Sequence, residues 1–262
     1  MSNETDQVVR DLADEVASLA NVLSRLDSGE WNVVTPAEGW NVSDQVIHLG
    51  LFDRRCMWSM VDEERFRDDR RAMMAAGGVD ALHDSHRGMT PSELMSWWRT
   101  GADELAHAAT QVDLSARCAW YGPSMSARSM MTARLMETWA HGLDIADAVG
   151  VSIEPTDRLI HVAHIGVRAM GFAFAANERA MPDGEVYVEL FAPSGTTWTW
   201  GSPDSPDVVR GDAFGFCCAV TQRRHVNDCG LTIQGSLATE WMSIAQAFAG
   251  PPGTGREEGQ FA

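Results

Sequence analysis

Residues 135–147, LMETWAHGLDIAD, are the stretch from which the fold of this chain is read. They fall inside a helical pattern that runs from about Ala127 to Val149 and closes at Gly150, a fitting C-terminal glycine. Glu137 and His141 are four apart within it, so they share one face about a turn from each other. A carboxylate and an imidazole in that register can grip one metal ion. The same spacing also serves as an exposed pair that only stabilises its helix.

Upstream, residues 39–52, GWNVSDQVIHLGLF, set His48 among Val46, Ile47, Leu49 and Leu51. An imidazole on so apolar a stretch needs a partner. One reading is a core histidine bonded to a carbonyl. The other comes from helix bundles, where two helices that each offer imidazole or carboxylate inward build an interior metal site. Three protein ligands leave coordination positions open, which marks a catalytic rather than a structural site.

The rest of the first 150 residues supplies the other helices. Thr5 or Asp6 can cap a first helix whose apolar positions Val9, Leu12, Val16, Leu19, Leu23 and Leu26 step by three and four. SGEWNVVTPAEGWN (28–41) breaks it. A second helix starts at Asn41 or Ser43 and is expected to continue towards Met74, where Gly77 and Gly78 stop it. His83 and His86 then fall in a loop. Thr90 as cap, Pro91 at the first helical position and Glu93 in a capping box start a third helix, which carries Leu94, Trp97, Trp98, Leu105 and Ala109. LSARCAWYGPSMS (114–126) is a loop. Four helices of about 20 residues make a bundle.

After VSIEPTD (151–157) the pattern changes. A helix carries Leu159, Val162, Ile165, Val167 and Met170. EVYVELF (185–191) and TTWTW (196–200) read as strands around a Pro-Ser-Gly turn. GDAFGFCCAVTQRR (211–224) reads as a helix, LTIQG (231–235) as a strand, and LATEWMSIAQAFAG (237–250) as a last helix. This half is α+β. The expected organisation is a bundle over 1–152, an α+β domain over 153–250 and a flexible tail over 251–262.

Composition bounds the function. The formal net charge is −17 on 262 residues, which disfavours nucleic acid and anionic lipid as partners. All 20 basic residues are arginine, so Schiff-base chemistry and a Walker lysine are excluded. Five cysteines, odd in number and without CxxC spacing, suit reduced thiols. The start MSNETDQVVRDLADE has no basic or apolar leader, and no apolar run approaches the ~18–20 residues of a membrane helix. The expected location is the cytoplasm.

GWNVSDQVIHL, followed about ninety residues later by METWAHGLDIADAVG, resembles the DinB-like metal-binding bundle, and more closely its mycothiol-dependent maleylpyruvate isomerase branch. The resemblance implies that His48, Glu137 and His141 bind a divalent metal, zinc by ligand preference. Other DinB-like members have histidine where Glu137 stands. VVRGDAFGFCCAVTQRRH (208–225) and LATEWMSIAQAFAGPPG (237–253) are similar to the sterol-carrier-like C-terminal domain of that branch. The lysine-free, tryptophan-rich composition fits a high-GC actinobacterium, the group that makes mycothiol. The resemblance further implies that Arg223 or Arg224 holds a substrate carboxylate; a helix-end cation answering the dipole is the other reading. Asp44, one turn before His48, and Asp144, three residues after His141, are candidates to orient a ligand imidazole.

The implied function is a metal-dependent enzyme. With mycothiol as co-substrate it isomerises or S-conjugates a small electrophile. A hydrolase on the same site, a non-catalytic metal- or small-molecule-binding protein, and a bundle with core histidines are the alternatives. The pairs His83/His86 and His161/His164 lack the four ligands of structural zinc. Cys217 and Cys218 read as packing, and so do Trp198 and Trp200.

Overall fold

A computed structural model describes residues 6–261, with the backbone alone at residues 80 and 81. The chain divides into two compact units between Ile153 and Glu154.

The first unit is built on four long helices. Helix α1 (Gln7–Leu23) is capped by Asp6, whose carboxylate accepts from the Val8 N–H at 3.2 Å. Thr5, the other expected cap, lies outside the described residues. The stripe Val9, Leu12, Val16, Leu19 and Leu23 is buried as its spacing requires, whereas Leu26 falls in the turn beyond the helix. Helix α2 (Val42–Val61) starts at a capping box: Asn41 accepts from the Asp44 N–H, and Asp44 accepts from the Asn41 N–H.

The long second helix expected from the sequence is two helices. Asp62, at φ −152° and ψ 71°, leaves the helical conformation and breaks the helix there, and its carboxylate caps α3 (Glu63–Ala75) by accepting from the Arg65 N–H at 3.1 Å. The loop expected at His83 holds a short helix, α4 (Val79–Asp84). Helix α5 (Pro91–Ala109) begins at the Thr90–Glu93 capping box. Strands β1 (Arg117–Cys118) and β2 (Met125–Ser126) form a small hairpin within the expected loop. Helix α6 (Ala127–Val149) ends on Gly150 in the left-handed region at φ 68°, where glycine carries no steric penalty.

Packing pairs α2 with α5 and α6, and α1 with α5 and α6. Leu94, Trp98 and Leu105 of α5 are at most 1% exposed, and each contributes roughly 1.5–3 kcal/mol by burial. The approach of α2 to α5 is close at Gly50: a Cβ there would stand 2.3 Å from the Trp97 ring. Arg54 holds the same seam. Its guanidinium donates to Gly50 O at 3.0 Å and Trp97 O at 2.7 Å, and lies 4.2 Å over the Trp97 ring.

In the second unit, the expected helix over Leu159–Met170 bends at Ala169 into α7 (Leu159–Arg168) and α8 (Met170–Ala176). Strands β3 (Val186–Phe191), β4 (Thr197–Trp200), β5 (Asp207–Asp212) and β6 (Thr232–Gln234) form one sheet in the order β4-β3-β5-β6. The β3–β5 pair is parallel and the other two pairs are antiparallel. Strand β5 was not anticipated from the sequence. Helix α9 (Ala213–Val220) is shorter than the expected 211–224, because Asp212 caps it and Thr221 ends it. Helix α10 (Ser236–Ile244) stops at Ala245, which turns to an extended conformation. Residues of the 251–262 segment meet the body of this unit: Glu258 accepts from Asn227, and Phe261 stacks under Arg224 at 4.3 Å.

The five cysteines are buried and none forms a disulfide among the described residues. Among the described residues no single helix is long and apolar enough to cross a membrane.

Candidate metal centre

Helices α2 and α6 face each other antiparallel, and their contacts step along in register. Gln45 meets His141, His48 meets Glu137, and Leu49 O with Asp53 meets Arg134. Residues 45, 48 and 52 are spaced i, i+3, i+7, and so are 134, 137 and 141, so each set forms one helix face.

The structure brings together His48, Glu137 and His141. Glu137 Oε2 lies 3.0 Å from His141 Nε2 and 3.5 Å from His48 Nε2, and all three donor atoms are within 4.8 Å of one another. Two donors ~2.1 Å from a shared tetrahedral ion stand roughly 3.4 Å apart. The spacing and the two-imidazole, one-carboxylate set therefore fit a zinc-type ion with an open position.

The surroundings set the charge state of these groups. Burial pushes the His48 imidazole down to about 3; His141 and Arg134 add to the push and Glu137 opposes it. That keeps His48 neutral, the form that coordinates. Burial alone would push the Glu137 carboxyl up. The hydrogen bonds and charges of His141 and His48 outweigh it and hold the group well below the usual carboxylate range.

Aromatic rings wall the site. The Trp40 ring lies 5.0 Å from the His48 ring, 4.7 Å from that of His83 and 5.8 Å from that of His141, stacked on the last. The Phe52 ring is 4.5 Å from His48. One turn along α6, Arg134 donates to Asp53 at 2.9 Å, both side chains being at most 3% exposed.

Other expected residues stand elsewhere. The Asp44 carboxylate does not orient a ligand imidazole. It closes the cap of α2, accepts from Arg87 Nε at 2.9 Å, and lies 3.8 Å from the His83 imidazole. A carboxylate at the third helical position turns back towards the start of its own helix, so Asp44 accepts from the Asn41 N–H although it shares a face with His48. Asp144 is fully buried, but the Nδ1 partner of His141 is Gln45. Arg223 and Arg224 follow α9 in the second unit. Arg223 donates to Thr221 O at 2.8 Å, and Arg224 donates to Arg223 O at 2.7 Å.

Sequence reasoning missed Gln45, Trp40 and His83. Gln45 carried one usable signal, a polar residue one turn before His48 in an apolar run. His164 accepts from the Trp200 indole N–H at 3.3 Å.

A family model for the mycothiol maleylpyruvate isomerase N-terminal domain matches residues 12–146. An uncharacterized protein of Mycobacterium tuberculosis strain H37Rv is 43% identical over 250 residues, which covers 95% of this chain and 97% of that protein. A second uncharacterized protein, from strain CDC 1551 / Oshkosh, matches to the same extent. Two crystal structures share the fold, each covering 87% of this chain and 91% of the matched one at TM-score 0.57. They are the mycothiol-dependent maleylpyruvate isomerase, at 15% identity, and a mutant of it, at 16%. By its matched residues and its mycobacterial relatives, the chain belongs to the mycothiol maleylpyruvate isomerase N-terminal domain family.

Proposed function

We propose that the protein is a divalent-metal-dependent enzyme that uses a mycothiol-type thiol to isomerise or S-conjugate a small electrophile. The observation that carries this reading is the convergence of His48, Glu137 and His141 within 4.8 Å. The family adds the thiol and the reaction class.

His48 and His141 would hold the ion through Nε2 and Glu137 through Oε2. When bound there, a divalent ion supplies Lewis acidity that lowers the pKa of a thiol. The protein's own residues do the remaining work. Burial keeps His48 uncharged, so its lone pair stays available. Trp40 and Phe52 set aromatic rings against His48, and such an apolar wall would disfavour water as a competing nucleophile. Arg223 or Arg224 supplies a guanidinium for a substrate carboxylate in this reading.

The chemistry balances without an oxidant. The thiol gives its proton to solvent, and its sulfur bonds to the β-carbon of a conjugated carbonyl substrate. The π pair of the C=C bond moves towards the carbonyl. In isomerisation the former double bond rotates, the C–S bond breaks, and the double bond returns in its other geometry with the thiol regenerated. In S-conjugation the α-carbon takes a proton and the C–S bond stays.

The test is turnover of a cis-configured conjugated keto acid with mycothiol by zinc-loaded and chelator-treated protein. Turnover by the loaded protein, lost on chelation and in His48→Ala, is expected. Undiminished turnover after chelation overturns the reading.

A further inference from the structure

Gln45 is fully buried and lies one turn before His48 on α2. Its amide nitrogen is 2.7 Å from Thr35 Oγ1, and its amide oxygen is hydrogen-bonded to His141 Nδ1. Thr35 Oγ1 is 2.9 Å from the Trp40 carbonyl oxygen. A carbonyl only accepts, so the single Thr35 hydroxyl proton points at Trp40. Thr35 must then accept from the Gln45 –NH₂ group. That leaves the amide oxygen for His141, so Nδ1 of His141 carries a proton. Nε2 is thereby left for the side that faces Glu137 and His48, where its lone pair would meet an ion. His48 has no such anchor, since its buried Nδ1 has no hydrogen-bond partner among the described residues.

We propose that Gln45, held by Thr35 and the Trp40 carbonyl, is a positioning residue that locks His141 in the Nδ1–H tautomer with its Nε2 lone pair turned into the metal centre. This rests on reading the triad as metal ligands. The choice of a carboxamide is chemically specific. A carboxylate behind a ligand imidazole raises its basicity and adds negative charge. Gln45 orients the ring without that charge, so the centre stays more electrophilic and favours thiolate at neutral pH. Trp40 takes part twice, its carbonyl fixing Thr35 and its ring stacking on the imidazole so fixed.

The test uses the full chain as wild type, Gln45→Leu, the near-isosteric Gln45→Glu and Thr35→Val. Zinc affinity is measured by chelator competition. The His141 tautomer is read from ¹⁵N–¹H correlations of the imidazole in zinc-free and zinc-loaded protein. In wild type the His141 Nδ1 proton is expected in both states. Gln45→Leu should lose that signature and weaken zinc binding by roughly 10–100-fold. Gln45→Glu should keep both and move the pH profile of thiol-dependent turnover to higher pH. Thr35→Val should follow Gln45→Leu with a smaller loss. Wild-type zinc affinity and an intact His141 Nδ1 proton in Gln45→Leu would overturn the proposal, as would a wild-type His141 protonated on Nε2 alone. A wild type that takes up no zinc, with a His141 tautomer that still depends on Gln45, refutes the metal reading and leaves the positioning role standing.

Discussion

Breaking the Arg134–Asp53 pair is the sharpest test of how the seam between α2 and α6 is held. Both side chains are at most 3% exposed, and Nε stands 2.9 Å from Oδ1. At an effective dielectric near 20 their attraction is roughly 5–6 kcal/mol. Desolvating the two ions offsets most of that gain. Removing one partner therefore does not simply subtract the attraction, because it leaves the other charge buried alone. Asp53→Asn keeps the shape and removes the charge paired with the Arg134 guanidinium, which also donates to Leu49 O at 3.3 Å and feels the Glu137 carboxylate. The expected loss is about 3–5 kcal/mol. Arg134→Met paired with Asp53→Leu removes both charges and should recover most of it. The assay is equilibrium urea unfolding of metal-free protein, followed by tryptophan fluorescence and far-UV circular dichroism. A single variant that loses less than about 1 kcal/mol, or a double variant that loses the sum of the two singles, refutes the reasoning, since contacting charges must couple.

Three further outcomes follow from the same geometry. Wild-type protein should hold about one zinc-type ion per chain by elemental analysis, as its three converging ligands imply; His48→Ala and His141→Ala should each lose it. In metal-free protein His48 titrates at about 3 when folded and at 6.5 when unfolded. Its contribution to stability is therefore full above pH 6.5 and falls by at most about 1.4 kcal/mol per pH unit down to about 3. Urea midpoints from pH 7 to pH 5 should fall more steeply in wild type than in His48→Gln, and equal slopes would count against the buried neutral imidazole. Asp44→Ala removes the capping box and the Arg87 contact, so it should lose roughly 1–2 kcal/mol while zinc affinity stays unchanged. A large loss of affinity would return Asp44 to the ligand-orienting role that the structure does not give it.

The parts legible in the sequence are those set by local rules. Helix α5 announced itself through Thr90, Pro91 and Glu93, and α6 through Gly150, because caps act within a few residues. Glu137 and His141 were legible because helical spacing alone puts them on one face. What resisted depends on partners far along the chain. Gln45 gains its role from a histidine 96 positions away and a threonine 10 positions back, and its one local mark, a polar side chain in an apolar run, does not say what it binds. Strand β5 was hidden because VVRGD is short and pairs parallel to a strand that is not adjacent in sequence. The break at Asp62 was missed because the residues from it onward, DEERF, are all compatible with a continuous helix.

The buried cysteines acquire a meaning beside the proposed chemistry. A protein that activates a thiol against electrophiles puts its own sulfurs at risk of alkylation and of mixed disulfides with the co-substrate. Here all five thiols are withdrawn from the surface. Burial also pushes the Cys217 thiol far above its ordinary range and Cys229 up to about 11, so neither presents the thiolate that such reagents attack. Under the proposed function the reactive sulfur is then that of the diffusible thiol, and these buried cysteines are spared by the substrate.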